Sequence, residues 1–484
     1  MATTFFCFAV TGQTRKATPI SLHPGNPHYF LWRGKPRILI TSGEHYGAVL
    51  NLDFDYPAYL DALAKDRLNC TRIFTGAYAE TPGSFNIAMN TLAPAPNRLI
   101  SPWARSDEPG YASGGNKFDL TKWDENYFKR LRDFVGKAGE RGIVVEVNLF
   151  CPFYEDSMWS LSPLNIRNNI NKVGDVKRTD VYTLDSNGGL LPIQEAMTRK
   201  IVAELKDFDN VYYEICNEPY FGGVAMEWQR HIADVIADAQ KDFPQEFLIS
   251  QNIANGSQKI ASPHPKVSIF NFHYAAPPDA VVLNYNLNKV IGDNETGFRG
   301  TGNDPYRMEA WDFILAGGAL YNNLDYSFTV KHPDGTWTEL PAKTPGGGGP
   351  ALRKQLRVLQ DFISGFDFIR MKPDSRVITG GVPDRMKARA LFERGIAYAI
   401  YLRTLSATET IQKGPALTLQ LPAGCYRADW VDTKSGNLIK SARFVHNGGA
   451  WQAKFPKFKN DIALGVHRMS FLGSRHSVAS CRSW

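Results

Sequence analysis

Two glutamates stand where this chain could carry out acid–base and nucleophilic chemistry. Glu218 lies in VYYEICNEPYFGG (211–223), where an apolar, aromatic run ends at Asn217-Glu218 and Pro219 then forbids further strand pairing. Glu295 lies in KVIGDNETGF (289–298), a run that passes Asp293 before reaching the glutamate and Gly297. Two carboxyl groups meeting at one point suit the cleavage of an acetal: one protonates the departing oxygen and the other attacks the carbon. A spacing of about 5–5.5 Å gives retention, while about 6.5–9.5 Å leaves room for a water and gives inversion. Plainer readings stand beside these. Glu218 could cap a following helix or pair with an arginine, Glu295 could be a surface carboxylate on a loop, and Asp293 competes for its role.

The elements that would present these carboxylates alternate along the chain through residue 371. Apolar runs at 37–41, 70–76, 143–150, 211–217, 247–252, 267–273, 289–295 and 319–328 read as strands. Several are apolar throughout, as strands buried on both faces are. Between them, helical spacing of apolar residues marks 121–141, 191–206 and 224–241, and Asp55-Tyr56-Pro57 opens an earlier helix. Eight strands alternating with helices predict a (β/α)8 barrel over 19–371, with 351–365 as a closing helix. Glu218 then ends the fourth strand and Glu295 the seventh, on facing sides of one barrel mouth. Two long excursions, 77–120 and 151–190, follow strands and are expected to shape a cleft there.

Beyond the barrel, HPDGTW (332–337) reads as a hairpin turn and TPGGGGP (344–350) as a loop without the Lys-Ser/Thr of a phosphate loop. Short alternating strands over 374–470 predict a compact all-β, sandwich-like domain, and 471–484 reads as a frayed tail.

Composition narrows the function. The 484 residues are 43% hydrophobic, 21% charged and 12% aromatic with net charge +7, and the basic residues form no run suited to nucleic acid. No apolar stretch reaches 18 residues, so no membrane span is expected. Six cysteines make no disulfide framework, and Cys70, Cys151 and Cys216 read as small buried side chains. The opening MATTFFCFAVTG is apolar but short and lacks a positive flank. It reads as the stub of a secretory signal or a misassigned start, which leaves a secreted or periplasmic location and the oligomeric state open. Neither a metal-binding HExxH nor a GxSxG elbow occurs, so no metal and no cofactor are expected.

The layout resembles the clan A glycoside hydrolases, the "4/7" superfamily of cellulase-like barrels, over roughly residues 30–371. Asn217-Glu218 matches that family's acid/base motif and Glu295 its nucleophile. Arg72 in CTRIFTG and His273-Tyr274 in NFHYAAP match its strand-two arginine and its His-Tyr after strand six. The resemblance implies a retaining hydrolase of β-linked or similar polysaccharide. In it Arg72 and Tyr274 would favour the ionised form of Glu295, and Asn217 would hydrogen-bond the sugar 2-hydroxyl. The C-terminal β region is similar to domains attached to some bacterial members. The eighth run, LYNNLDYSF, lacks the tryptophan many members hold there, so no cellulase subsite is carried over.

Further candidates come from position alone. Glu44-His45-Tyr46 follows the first strand, so His45 is expected at the sugar site or in a loop network. Trp103, Trp159, Tyr321 and Tyr326 are candidate stacking platforms or plain packing. Glu146 and Glu214 lie within strands and read as buried partners of Arg or Lys, and Glu309 reads as structural. The rival functional class is a non-catalytic carbohydrate-binding protein on the same barrel. Retention of both glutamates argues against it, and against an unrelated metal-free lyase or esterase. In each case the expected partner is a carbohydrate or other small substrate, with neither nucleic acid nor membrane span.

Overall fold

A computed structural model describes residues 18–405, 410–411 and 416–469. The apolar opening and the 471–484 tail lie outside them. Eight parallel strands form one sheet: β1 (Leu39–Gly43), β2 (Cys70–Phe74), β3 (Val144–Phe150), β4 (Val211–Cys216), β5 (Ile249–Asn255), β6 (Val267–His273), β7 (Val290–Thr296) and β8 (Leu320–Leu324). They pair in the order β1-β8-β7-β6-β5-β4-β3-β2. The two ends of that order meet without a ladder, joined by the Asn69 side chain and by isolated backbone bonds, one of them from the Phe74 amide to the Tyr46 carbonyl (3.1 Å). Asn69 accepts from the Ile40 amide (2.8 Å) and donates to the Ile38 carbonyl (2.9 Å), while its own amide donates to Ile40 (3.3 Å). The result is the (β/α)8 barrel expected from the alternation, its strands buried on both faces by helices outside and side chains within.

The helices begin where the sequence supplies caps. Asp55 accepts from the Ala58 amide (3.2 Å) to open α1 (Tyr56–Lys65), with Pro57 in its first turn. Asp124 does the same for Asn126 (2.9 Å) at the head of α2 (Glu125–Glu140), whose Tyr127, Phe128, Leu131, Phe134, Val135 and Ala138 form the buried stripe. The helix starts four residues later than its periodicity suggests, because Asn116–Trp123 pairs with Trp103–Pro109 as a hairpin inside the first excursion. The remaining long helices are α3 (Leu191–Leu205), α4 (Met226–Ala239), α5 (Asp304–Leu315) and α6 (Pro350–Ser364).

HPDGTW is a turn but not a hairpin. The Gly335 carbonyl accepts from Arg353 of α6 (2.8 Å), and a side chain at Gly335 would strike the Phe328 ring, so the segment packs onto the barrel instead of pairing with a strand.

The C-terminal region is β-rich. An antiparallel sheet runs in the order Lys372–Pro373, Met386–Glu393, Ala397–Thr404, Asp461–Arg468, Gly424–Val431, Leu438–His446. Ile378–Gly380, Leu417–Leu421 and Gly449–Ala453 form a second sheet. Strand alternation divides the central strand between two cores: Tyr398, Ile400 and Leu402 join the sandwich interior, while Ala399 and Tyr401 join the barrel core. That is why IAYAIYL (396–402) is apolar throughout. The seam with the barrel is charged as well as apolar. Arg307 of α5 pairs with Asp461 (2.6 Å), and Asp312 receives both Arg389 (2.8 Å) and Arg403 (2.9 Å).

Candidate active site

At the carboxyl end of the barrel, Glu218 and Glu295 come together. Glu218 follows β4 directly, with a left-handed backbone (φ 35°) that turns its side chain off the strand line. Glu295 is turned inward by irregular register. Asn294 already faces the barrel interior, so strict alternation would send Glu295 outward beside Asp293. The pairing of β7 shifts on both sides, between Phe272 and His273 toward β6 and between Asp293 and Thr296 toward β8. That irregularity brings Glu295 into the pocket. Asp293 stays outside it, facing Glu309 of α5; burial first, and then the Glu309 charge, hold its carboxyl well above the usual range. Asp293 is therefore no competitor for the role of Glu295.

Four side chains hold Glu295. Tyr274 donates to Oε1 (2.7 Å), Tyr46 donates to Oε2 (2.9 Å), Arg72 reaches Oε2 (3.3 Å), and His273 Nδ1 lies 3.4 Å from Oε1. Burial alone would raise the Glu295 pKa, but the His273 charge, Arg72 and the Tyr274 hydroxyl overcome it and hold the carboxyl far below its ordinary value. Glu218 accepts from Tyr154 at Oε2 (2.6 Å), and His273 Nδ1 lies 3.1 Å from its Oε1. Burial would lower the His273 pKa, yet Glu295 and Glu218 carry it up to about 9, which favours the charged imidazole between the two carboxyl groups. The donor atoms of Glu218, His273 and Glu295 all lie within 4.8 Å of one another. Among the described residues these three are also the group that could hold a metal ion. Tyr46 (φ 60°), Glu218 and Tyr274 (φ 53°) all carry left-handed backbones, each costing about 1–3 kcal/mol that the surrounding fold must offset.

Beneath the pocket the barrel interior is polar. Arg72, 3% exposed, reaches Glu146 (2.7 Å), Glu214, Glu295 and the Asn217 side-chain oxygen (2.8 Å). Glu146 and Glu214 are thus the buried arginine partners their strand positions suggest. Asn294 donates to both, at 2.8 and 2.9 Å. One cation cannot neutralise three carboxylates, and burial, then the Glu214 charge, push Glu146 up to about 7.

Residues 60–279 match the family model for Cellulase (glycosyl hydrolase family 5), a span that includes Arg72, Asn217, Glu218, His273 and Tyr274. The chain is similar to the family 5 cellulases. Among solved structures, a glycoside hydrolase family 5 protein from Bacteroides vulgatus ATCC 8482 aligns at 13% identity with TM-score 0.60, covering 93% of each chain. A second protein from that organism, described as a candidate glycoside hydrolase, aligns at 12% identity and TM-score 0.64 over 95% of this chain and 84% of its own. A third structure, titled only as a glycoside hydrolase, aligns at 14% identity and TM-score 0.61, over 93% of this chain and 97% of its own. No curated protein matches. At these identities the structures establish the shared fold, and with the family match they support a glycoside hydrolase acting on carbohydrate.

In this cellulase-like barrel the other candidate residues separate. His45 lines the carboxylate pocket, with Nε2 at 3.3 Å from both oxygens of Glu80. Asn217 lines it too, its amide engaged by Arg72 and by the Tyr154 hydroxyl (2.9 Å). Tyr326 stands behind His45, ring centroids 5.9 Å apart. Trp159 is placed elsewhere: it packs on Phe153 and donates its indole N–H to the Val176 carbonyl (3.0 Å), so it braces the second excursion and offers no stacking face to the pocket. Trp103 and Tyr321 are core. Sequence reasoning missed Tyr154, Tyr220 and Glu80. Tyr154 and Glu80 lie in the excursions after β3 and β2, and Tyr220, whose hydroxyl lies 3.3 Å from Glu218, follows Pro219. Loop positions carry no periodicity, and only their place just after a strand end could have flagged them.

Proposed function

We propose that the chain is a retaining O-glycosyl hydrolase of oligo- or polysaccharide, with Glu295 as nucleophile and Glu218 as acid/base. The observation that carries this reading is the convergence of the two carboxyl groups on one imidazole, with donor atoms within 4.8 Å. That spacing favours direct attack over a water-mediated inversion. In the first step the Glu218 proton passes to the glycosidic oxygen as the C1–O bond breaks and Glu295 bonds to C1. In the second, water attacks C1, gives a proton to Glu218, and releases Glu295. The donors on Glu295 suit the ionised nucleophile, and loss of its charge on glycosylation lets Glu218 act as base. Arg72, Tyr274 and Tyr46 hold the nucleophile, His273 bridges the pair, and Asn217 and His45 lie toward the sugar, with Tyr326 behind His45. The barrel (19–371) would be the catalytic unit, braced by the β region (374–470).

An activated 2-deoxy-2-fluoro glycosyl donor tests the reading. A burst of leaving group with the label on the Glu295 peptide is expected, and a label on any other peptide overturns the assignment. Glu218→Ala should lose most activity and regain part of it with azide on a substrate with a good leaving group. Absence of rescue removes Glu218 from the acid/base role.

A further inference from the structure

Glu80 lies in the excursion after β2, 4% exposed, on the wall of the carboxylate pocket opposite the barrel floor. It also lines a neighbouring cavity of about 590 Å³, built from the excursion and from loops after β1 and β8. It therefore stands where a sugar chain seated on the carboxylate pair would pass from that pocket into the neighbouring cavity. Its carboxylate is held firmly: Asn90 donates to Oε2, Tyr78 to Oε1 (3.2 Å), and His45 faces both oxygens. These partners occupy about three of its roughly four lone-pair positions, which leaves one acceptor. The other ring nitrogen of His45, Nδ1, is buried and has no partner, and neither does the hydroxyl of Tyr326 behind it. Burial would lower the His45 pKa, but Glu80, with Glu295 and Glu44, carries it above the ordinary imidazole value, which favours the form with an N–H at both ring nitrogens. An unused carboxylate lone pair beside an unused ring nitrogen is a matched site for neighbouring hydroxyl groups, whereas a sugar carboxylate has no proton to give the Glu80 oxygen.

We propose that Glu80 and His45 are specificity-determining residues that recognise the non-reducing-side sugar as a neutral glycone, one hydroxyl donating to Glu80 and a neighbouring hydroxyl accepting from His45 Nδ1. The proposal rests on the hydrolase reading above and names the class of sugar that reading leaves open. The probes are 4-nitrophenyl β-glycosides of glucose, mannose, galactose, xylose and glucuronic acid, followed by singly deoxygenated forms of the fastest substrate.

In the native enzyme, removing the hydroxyl that meets Glu80 should cut kcat/KM on the order of 10²-fold or more, because the wall's buried polar groups then go unpaired. In Glu80→Gln that same deoxygenation should cost several-fold at most, and the bias against the glucuronide should shrink. A merely structural role for Glu80 would slow the parent and deoxy substrates equally. Equal deoxygenation penalties at every ring position in the native enzyme and in Glu80→Gln overturn the proposal. His45→Asn run through the same cycle decides the matter if Glu80→Gln does not fold. Fluorosugar labelling of Glu295 separates the two failures. Label without this coupling sinks the recognition wall alone, whereas neither label nor turnover with any probe sinks the hydrolase reading and the wall with it.

Discussion

Replacing Arg72 by methionine should destabilise the barrel in a way that depends steeply on pH. The guanidinium is enclosed by three carboxyl groups, Glu146, Glu214 and Glu295, and is itself 3% exposed. Taking away one partner of a buried pair costs about 3–5 kcal/mol, chiefly because the abandoned charge stays buried. Here Glu146 and Glu214 lose the one cation among the described residues that reaches them, while Glu295 keeps His273, Tyr274 and Tyr46. Without Arg72, Glu146 loses the charge that opposes its burial, so its folded pKa rises further above its unfolded value, and a group so raised contributes stability below the unfolded pKa that is lost as pH rises through the folded one. Each unit of such a rise is worth about 1.4 kcal/mol. The gap between native and Arg72→Met proteins should thus be about 3–5 kcal/mol near pH 8 and less than half that near pH 5. Glu146, already at about 7 in the native chain, makes native stability fall in the same direction between its ordinary value and neutrality. Urea unfolding followed by tryptophan fluorescence at both pH values measures the gap. Equal gaps, or a variant as stable as the native protein near pH 8, would refute the view of this cluster as charge-limited.

Other perturbations reach separate parts of the argument. Tyr274→Phe removes a 2.7 Å charge-assisted donor from Glu295, and kcat/KM should fall on the order of 10-fold or more. Its acid limb should move to higher pH, since the ionised nucleophile loses support; a pH profile with an unmoved limb would count against that contact. Asp312→Asn strips Arg389 and Arg403 of their shared partner at the seam, at a cost of about 2 kcal/mol after allowance for the partly exposed arginines. Calorimetry should then show the β region unfolding at a lower temperature, and an unchanged transition would contradict the seam. In Gly47→Ala the new methyl would lie 2.2 Å from the Thr91 carbonyl oxygen, so the first excursion must shift. Faster proteolysis within 77–120 and weaker activity should follow, and an intact proteolytic pattern would speak against this close approach.

How far the sequence foretold the molecule depended on whether a residue obeyed a period. All eight barrel strands appear within a few residues of their apolar runs, and α2 and α6 follow their stripes, because burial on a regular element repeats at the element's own spacing. The pairing of Asn217-Glu218 with Glu295 was legible because strand count alone places β4 opposite β7. What escaped were contacts set by tertiary approach. Glu80 and Tyr154 enter the pocket from irregular loops, where no spacing distinguishes a wall residue from a surface one. Trp159 looked like a platform because indoles stack on sugars, but its N–H found a backbone carbonyl inside the loop. The inward swing of Glu295 depends on irregular register in β7, which leaves no trace in composition.

The join at Asn69 has a mechanical consequence. A hoop laced all round resists opening evenly, but between staves β1 and β2 this one is pinned by the Asn69 side chain and by isolated backbone bonds, Asn69 to Ile40 and Phe74 to Tyr46. Tyr46 follows the first stave and Arg72 belongs to the second, so two clamps on the same Glu295 oxygen are anchored on opposite banks of the gap. If the hoop breathes anywhere, it does so there, and the nucleophile's grip loosens with it. Amide exchange at Ile40 and Asn69 should outpace that of the laced strands opposite.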